Sequence, residues 1–190
     1  EAAKVRDQIQ ALNAMAHGNT VGGSALLLEH LKRILHLDKL PQRIEAFDIS
    51  NISGHQATGS MVSFYKGLPD KSNYRRFRIK TVEGINDYKM LAEVIHRRYR
   101  RLIEEKLYLP DLILIDGGRA HLLTAKKELD NLGLNIALVS IAKEEENIYT
   151  GKEKSRIKLN SDTPALNLIR KVRDEAHRFA VAYHRILRRK

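Results

Sequence analysis

Two aspartates and a set of arginines are the residues whose types and surroundings could do chemistry in this chain. Asp48 lies near the end of RIEAFDIS, residues 43–50, and Asp116 ends the apolar run DLILID, residues 111–116, just before Gly117 and Gly118. Neighbouring strands sit about 4.8 Å apart. If these two runs are parallel neighbours, both carboxylates reach the carboxyl edge of one sheet, where open α/β sheets bind ligands. Two carboxylates there make a hard, oxygen-rich site for Mg²⁺ or Mn²⁺. Each has a plainer use, Asp48 as a turn-forming carboxylate and Asp116 as the cap of the next helix. Together, in a basic chain, they favour the metal. His177, with Arg170, Arg173 and His184 on neighbouring turns, reads on spacing alone as a solvated histidine on the polar side of a helix.

The arginines fall in two clusters interleaved with aromatics, Tyr74-Arg75-Arg76-Phe77-Arg78 and Arg97-Arg98-Tyr99-Arg100-Arg101. Such stretches suit contact with nucleic-acid phosphates. On a strand, Arg76 and Arg78 share one face while Arg75 and Phe77 share the other, so at most half of the first cluster meets one DNA strand. The second cluster also fits a salt-bridged helix surface, because Glu93 to Arg97 and Arg100 to Glu104 are helical pairs. Gly117 and Gly118 would let a nucleic-acid backbone approach Asp116, although a strand-to-helix turn explains them equally well.

The whole chain bounds these readings. Its 190 residues carry 34 Lys+Arg against 23 Asp+Glu, a formal charge of +11, and 43% are hydrophobic. That composition supports one compact domain with a short extension and points to a polyanionic partner. The absence of cysteine removes disulfides, thiolate metal sites and cysteine nucleophiles. No apolar run reaches the roughly 18 to 20 residues of a bilayer span, and EAAKVRDQIQ lacks a signal core, so the chain is expected to be soluble and cytosolic. It begins without Met, which suggests a fragment. DEAH at 174–177 and LILID look like ATPase motifs, but no G-x-x-x-x-G-K-[ST] loop accompanies them; H-E-x-x-H is absent too.

The elements that must position these residues follow from periodicity. Residues 1–37 are amphipathic, interrupted at His17 to Gly23, and give a helical lead-in packed on the domain. RIEAFDIS, GSMVSFYKG and NYRRFRI read as three strands of an antiparallel meander. A long helix follows, with Met90, Leu91, Val94, Ile95, Leu102 and Ile103 on its apolar side. DLILID reads as a strand buried on both faces, then come a helix with Leu122, Leu123, Leu129 and Leu132, ending at Gly133, and the buried strand NIALVSIA. Strand, helix, strand makes a right-handed parallel unit. Residues 143–158 are highly charged and read as a loose hairpin or mobile loop. Thr163 and Pro164 open a last helix with a stripe of Leu166, Ile169, Val172, Ala176, Phe179 and Tyr183.

The stretches IEAFDIS, YRRFRI, PDLILIDGG and IRKVRDEAHRFAVAYHR, in that order, resemble the C-terminal nuclease domain of the UvrC family, the incision subunits of bacterial nucleotide excision repair. The resemblance runs from about Pro41 to Lys190 and divides the chain into a helical lead-in, 1–40, and a nuclease domain, 41–190. It implies an α/β, ribonuclease-H-like mixed sheet of three antiparallel strands plus parallel strands, flanked by helices. It also implies a divalent-metal-dependent endodeoxyribonuclease that cuts damaged double-stranded DNA on the 5′ side of a lesion, with Mg²⁺ or Mn²⁺ as cofactor. By motif, the family's Asp-Asp-His set, catalytic and metal-holding, falls on Asp48 of FDIS, Asp116 of LIDGG and His177 of DEAHRFA. Arg75, Arg76, Arg78, Arg97, Arg98, Arg101, Arg119 and Arg178 are the expected DNA contacts. The setting implied is the bacterial cytoplasm and the SOS response, with the UvrB-DNA complex as partner through the full-length protein, and neither membrane nor small-molecule substrate. Whole family members add a GIY-YIG nuclease, a UvrB-binding segment and helix-hairpin-helix repeats, none visible in this stretch. Residues 143–158 match the family poorly and read as a variable insertion. The rival reading is a non-catalytic DNA-binding or scaffold module of the same fold, which loss of the acidic pair would have marked, and a further enzyme alternative is an RNA-cleaving or junction-resolving relative of that fold.

Overall fold

The computed structural model describes residues 21–50, 57–82, 84–142, 147–151, 156–158 and 163–187. Helix α1 (Val21–Ile34) carries leucines at helical spacing, and Leu28, Leu31 and Leu35 at its end are buried against the sheet. The amphipathic segment expected before it lies outside the described residues. Strand β1 (Arg43–Ser50) pairs antiparallel with β2 (Thr58–Tyr65) along its whole length, with Asp48 opposite Ser60. The two-residue β3 (Leu68–Pro69) and β4 (Arg75–Arg78) both pair antiparallel with β2, so the expected meander forms. A single 3-10 turn, Lys71–Asn73, joins them.

Helix α2 (Asp87–Glu104) is capped by the Asn86 side chain, which accepts from Lys89 N at 3.0 Å. It returns the chain to β5 (Leu112–Asp116), which pairs parallel with β1. Helix α3 (Arg119–Asn131) then leads to β6 (Ala137–Ala142), parallel to β5. β7 (Asn147–Thr150) and β8 (Arg156–Lys158) add an antiparallel hairpin at the edge, giving one mixed sheet of order β3-β2-β1-β5-β6-β7-β8 with β4 beside β2. Ile148 is fully buried, so this charged segment contributes to the core; residues 143–146, with Lys143, and 152–155 lie outside the described residues. Helix α4 (Pro164–Leu187) closes the fold, its start capped by Thr163 Oγ1 accepting from Leu166 N at 3.3 Å.

Two cores sandwich the sheet. On one face α1 and α4 bury Leu28, Leu31, Leu166, Ile169 and Val172 against Ile44, Ala46, Leu112 and Leu114. On the other, α2 and α3 bury Leu91, Val94, Ile95, Leu122 and Leu129 against Phe47, Ile113 and Ile115. The alternation of β1 and β5 between these cores is the two-residue period of a strand covered on both sides. Full burial of each large aliphatic side chain is worth about 1.5–3 kcal/mol. Gly59 lets α2 lie close: a Cβ there would come within 2.6 Å of Val94 Cγ2.

Three side chains differ from the expected pattern. Ile103 is 44% exposed and Leu123 55% exposed, while Tyr99 is fully buried. The reason is angular: the buried arc of α2 is centred near Leu91 and Leu102 and reaches its edge at Tyr99, and Ile103 stands about 40° beyond that edge. In α3, Ala125 lines the core where Leu123 turns outward. Tyr99, read from sequence among the phosphate-contacting aromatics, instead donates its hydroxyl to Glu45 at 3.0 Å. The side chains of Tyr183 and His184 lie outside the described residues.

Candidate metal centre

Period and register bring the two aspartates together. Phe47 lies beside Ile115 in the parallel β1–β5 pair, so the next residues, Asp48 and Asp116, are neighbours at the carboxyl edge. Two residues beyond Ala46 and Leu114, both point to the α4 face. The third group comes from α4. Ala176 is fully buried in that helix, and the adjacent His177 emerges over the edge with Nδ1 3.1 Å from Asp48 Oδ2. One ligand atom from each of Asp48, Asp116 and His177 lies within 4.8 Å of the others. Asp48 is buried, Asp116 half-buried and His177 exposed, so the cluster opens to solvent from the histidine side. Ser60, opposite Asp48 on the same sheet face, keeps its buried Oγ without a hydrogen-bond partner among the described residues.

Positive charge surrounds this edge. A groove of about 560 Å³ is lined by Asp116, Arg173, Asp174, His177, Arg178 and Val181. Arg178 also lines a second notch with Lys71, Tyr74, Arg75, Arg76 and Phe179. There the Arg76 guanidinium lies 4.5 Å over the Phe179 ring, and Phe179 meets Tyr74 edge-on at 5.1 Å. Arg76 pairs with Ser60 and Ser60 with Asp48, so Arg76 shares the face of Asp48 two strand spacings away, about 10 Å. Arg78, exposed, stands one step nearer the carboxyl edge on that face. Glu175 restrains Arg178, accepting its Nε at 2.6 Å and Nη2 at 2.7 Å, and also accepts the Tyr74 hydroxyl at 3.0 Å. The hydrogen bond from Arg178, then that from Tyr74, holds the Glu175 carboxyl below its ordinary range against the opposing effect of burial. The Tyr74 phenol is pushed up, first by burial and then by that carboxylate.

Beside Asp116 the chain turns through Gly117, whose φ of +153° favours glycine. A Cβ there would also come within 2.7 Å of the His121 ring. Gly118 has open space where a Cβ would stand, and Arg119, exposed, begins α3 just beyond. The turn explanation therefore applies to Gly117, while Gly118 is open toward solvent.

The second arginine cluster lies elsewhere. α2 covers the sheet face opposite Asp48, and Arg98 there is 10% exposed and bonded to the fully buried Glu45. Desolvation works against the Arg98 charge, but the Glu45 carboxylate outweighs it and raises its pKa. Arg97 bridges Glu93 and the Arg78 carbonyl, both at 2.8 Å, and Arg101 pairs with Glu105. Lys71 and Arg173, absent from the expected DNA contacts, line the two grooves instead. Arg173 is one helical turn before His177, a signal legible in spacing; Lys71 reaches the notch through the 3-10 turn, which nothing in its sequence surroundings announces.

A mixed sheet flanked by helices, with this acidic edge, is a ribonuclease-H-like endonuclease fold. The chain belongs to the UvrC RNAse H endonuclease domain family, whose model matches residues 32–181. It is 52% identical over 170 residues to the UvrABC system protein C of Methanococcus maripaludis, covering 90% of this chain and 32% of that protein. The corresponding protein of Methanosarcina mazei is 47% identical over 189 residues, 98% of this chain and 36% of that one. That of Chlorobium chlorochromatii is 49% identical over 161 residues, 85% and 26%. The chain thus spans about a third or less of the length of these relatives. Among solved structures, Ciona intestinalis Endonuclease V in complex with a 23mer DNA aligns with a TM-score of 0.41 at 12% identity, over 65% of this chain and 59% of that one.

Proposed function

We propose that this chain is the part of an excision nuclease that hydrolyses a DNA phosphodiester on the 5′ side of a lesion, using Mg²⁺ or Mn²⁺ held by Asp48, Asp116 and His177. The observation that carries this reading is the convergence of those three ligand atoms within 4.8 Å at a carboxyl edge bordered by arginines. Two carboxylates and an imidazole fit a divalent cation, and the second-strand hydroxyl of Ser60 stands beside the buried aspartate. Such a cation, when bound, supplies charge stabilisation at the scissile phosphate and favours deprotonation of the attacking water. The chain's own residues do the rest. Asp48, fixed by strand and burial, sets the position of the His177 ring, while Asp116 on the Gly117 turn meets the solvent-facing side.

Arg178 and Arg173 line the path out of the centre, Lys71 and Arg76 line the notch beyond it with Arg75 at its rim, and Arg78 shares with Arg76 the sheet face of Asp48, so the phosphates of one strand follow α4 past Arg76 and Arg78. Arg119 takes the opposite side of the edge. Arg97 and Arg101 are peripheral to this path, and Arg98 serves inside the protein. Within this reading the lead-in of residues 1–40 supports a nuclease domain of 41–190, and the UvrB-DNA complex is engaged through the remainder of a longer protein in the cytoplasm, as part of the response to DNA damage. No described helix is long and apolar enough to cross a membrane. The test is incubation with lesion-bearing or nicked duplex in Mn²⁺, Mg²⁺ or EDTA: metal-dependent scission is expected, and binding without scission under every metal condition would favour a scaffold module.

A further inference from the structure

The sheet edge has a second side that the metal site leaves unused. Tyr88, on the first turn of α2, is 47% exposed, and its ring centroid lies 4.7 Å from the His121 ring on the first turn of α3. At that spacing, with planes tilted by 40°, the two rings pack against each other, and Tyr88 is the more exposed of the pair. Ile85, three residues before Tyr88, is 72% exposed. The His121 ring lies so close to Gly117, the residue after Asp116, that a Cβ there would clash at 2.7 Å. Gly118 next to it carries no side chain and has nothing within 4 Å of where one would stand. Asp116 faces the α4 side of the sheet, whereas α2 and α3 cover the other.

From this arrangement we infer that Tyr88 and His121 form a stacking site for one unpaired nucleobase of the strand whose phosphate lies at Asp116. The inference rests on the nuclease reading above and specifies its substrate. A strand crossing the bare Gly117–Gly118 ridge places a phosphate on the aspartate side and an adjacent base on the aromatic side. Bases offer π-faces that stack on tyrosine and histidine whatever their sequence. The occupant is a nucleobase because Arg119 at the ridge and the overall charge of +11 recruit a polyanion to this surface. Burial holds the His121 imidazole below its ordinary pKa despite Asp87 nearby, which keeps the ring neutral and suited to stacking. A base inside an intact duplex has both faces covered, so the site selects a nucleotide that is unpaired or unstacked beside the bond to be cut.

The probe is a set of single-stranded oligonucleotides, each with one 2-aminopurine at a different position, titrated with the chain in EDTA so that no scission occurs. One position is expected to show fluorescence quenching on binding. Tyr88→Ala should abolish that quenching and weaken binding roughly tenfold, the size of one base stack, while Tyr88→Phe keeps both. An abasic nucleotide at the same position should weaken wild-type binding as much and leave Tyr88→Ala unaffected. Unchanged affinity and quenching in Tyr88→Ala, or equal quenching at every position, would overturn the stacking site while leaving the nuclease reading intact. Tyr88-dependent quenching without metal-dependent scission would uphold the stacking site and remove the nuclease reading. Failure of the wild-type chain to bind any of the oligonucleotides would overturn the stacking site, while the nuclease reading stands or falls on metal-dependent scission of duplex.

Discussion

Arg98→Met separates a structural arginine from a DNA-binding one. Glu45 is fully buried in β1 and accepts from Arg98 Nη2, Arg98 Nε and the Tyr99 hydroxyl. The methionine fills much of the arginine's volume but leaves a buried carboxylate with a single donor. Removing one partner of a buried pair costs about 3–5 kcal/mol. That is a large fraction of the roughly 5–15 kcal/mol that holds a domain folded. With a urea dependence of about 2 kcal/mol per molar, the unfolding midpoint should drop by about 1.5–2.5 M. Replacing Glu45 as well, as Glu45→Gln with Arg98→Met, should recover part of the loss, because no charge is then stranded. Urea unfolding by circular dichroism reads the midpoint, and DNA binding across salt concentrations reads the other role. Removing an arginine that neutralises one phosphate of duplex DNA would lower the log–log salt slope by about 0.9, whereas Arg98→Met should leave the slope unchanged. A midpoint within about 0.3 M of wild type together with a reduced slope would refute the burial argument.

Arg76→Ala should do the reverse, lowering the salt slope by about one with a small effect on stability; an unchanged slope would place the phosphate path elsewhere. Gly117→Ala forces a side chain into φ +153° and against His121. It should cost about 1–3 kcal/mol in urea unfolding and slow scission by shifting Asp116. The Glu175 carboxyl is held below its ordinary 4.5, so the unfolded state binds its proton first as pH falls. Its contribution is whole above pH 4.5 and is lost as pH falls through the lower folded value. Unfolding followed from pH 6 to pH 3 should therefore show a shallower acid decline in Glu175→Gln than in wild type, and superimposable declines would exclude the Arg178–Tyr74 clamp as its cause.

The acidic pair was legible because strands leave periodic traces. RIEAFDIS and the unbroken apolar DLILID announced two buried strands, and parallel pairing makes their terminal aspartates neighbours. The approach of His177 to Asp48, across 129 residues of chain, depends on how α4 docks, which helical spacing alone does not encode. There the long IRKVRDEAHRFAVAYHR motif carried the expectation. Arg98 and Tyr99 were misleading because an arginine-rich helix segment looks like a surface. The lone acid Glu45 in an otherwise apolar half of β1 was the available sign that a buried cation had to meet it. The charged hairpin concealed Ile148 because composition averages over a segment of which, among the described residues, only Asn147 and Ile148, at the start of β7, are buried.

The central claim is that Asp48, Asp116 and His177 act as one metal site, and a single-turnover cleavage cycle tests it most directly. Rates in saturating Mn²⁺ would be compared for wild type, Asp48→Asn, Asp116→Asn and the double variant, with DNA affinity measured alongside. Each single substitution should abolish most cleavage and the double should cost little more, because groups acting as a unit are strongly non-additive. DNA affinity should largely persist in all of them, carried by the arginines. Wild-type rates in either single variant, or two modest losses that simply multiply in the double, would contradict a shared site.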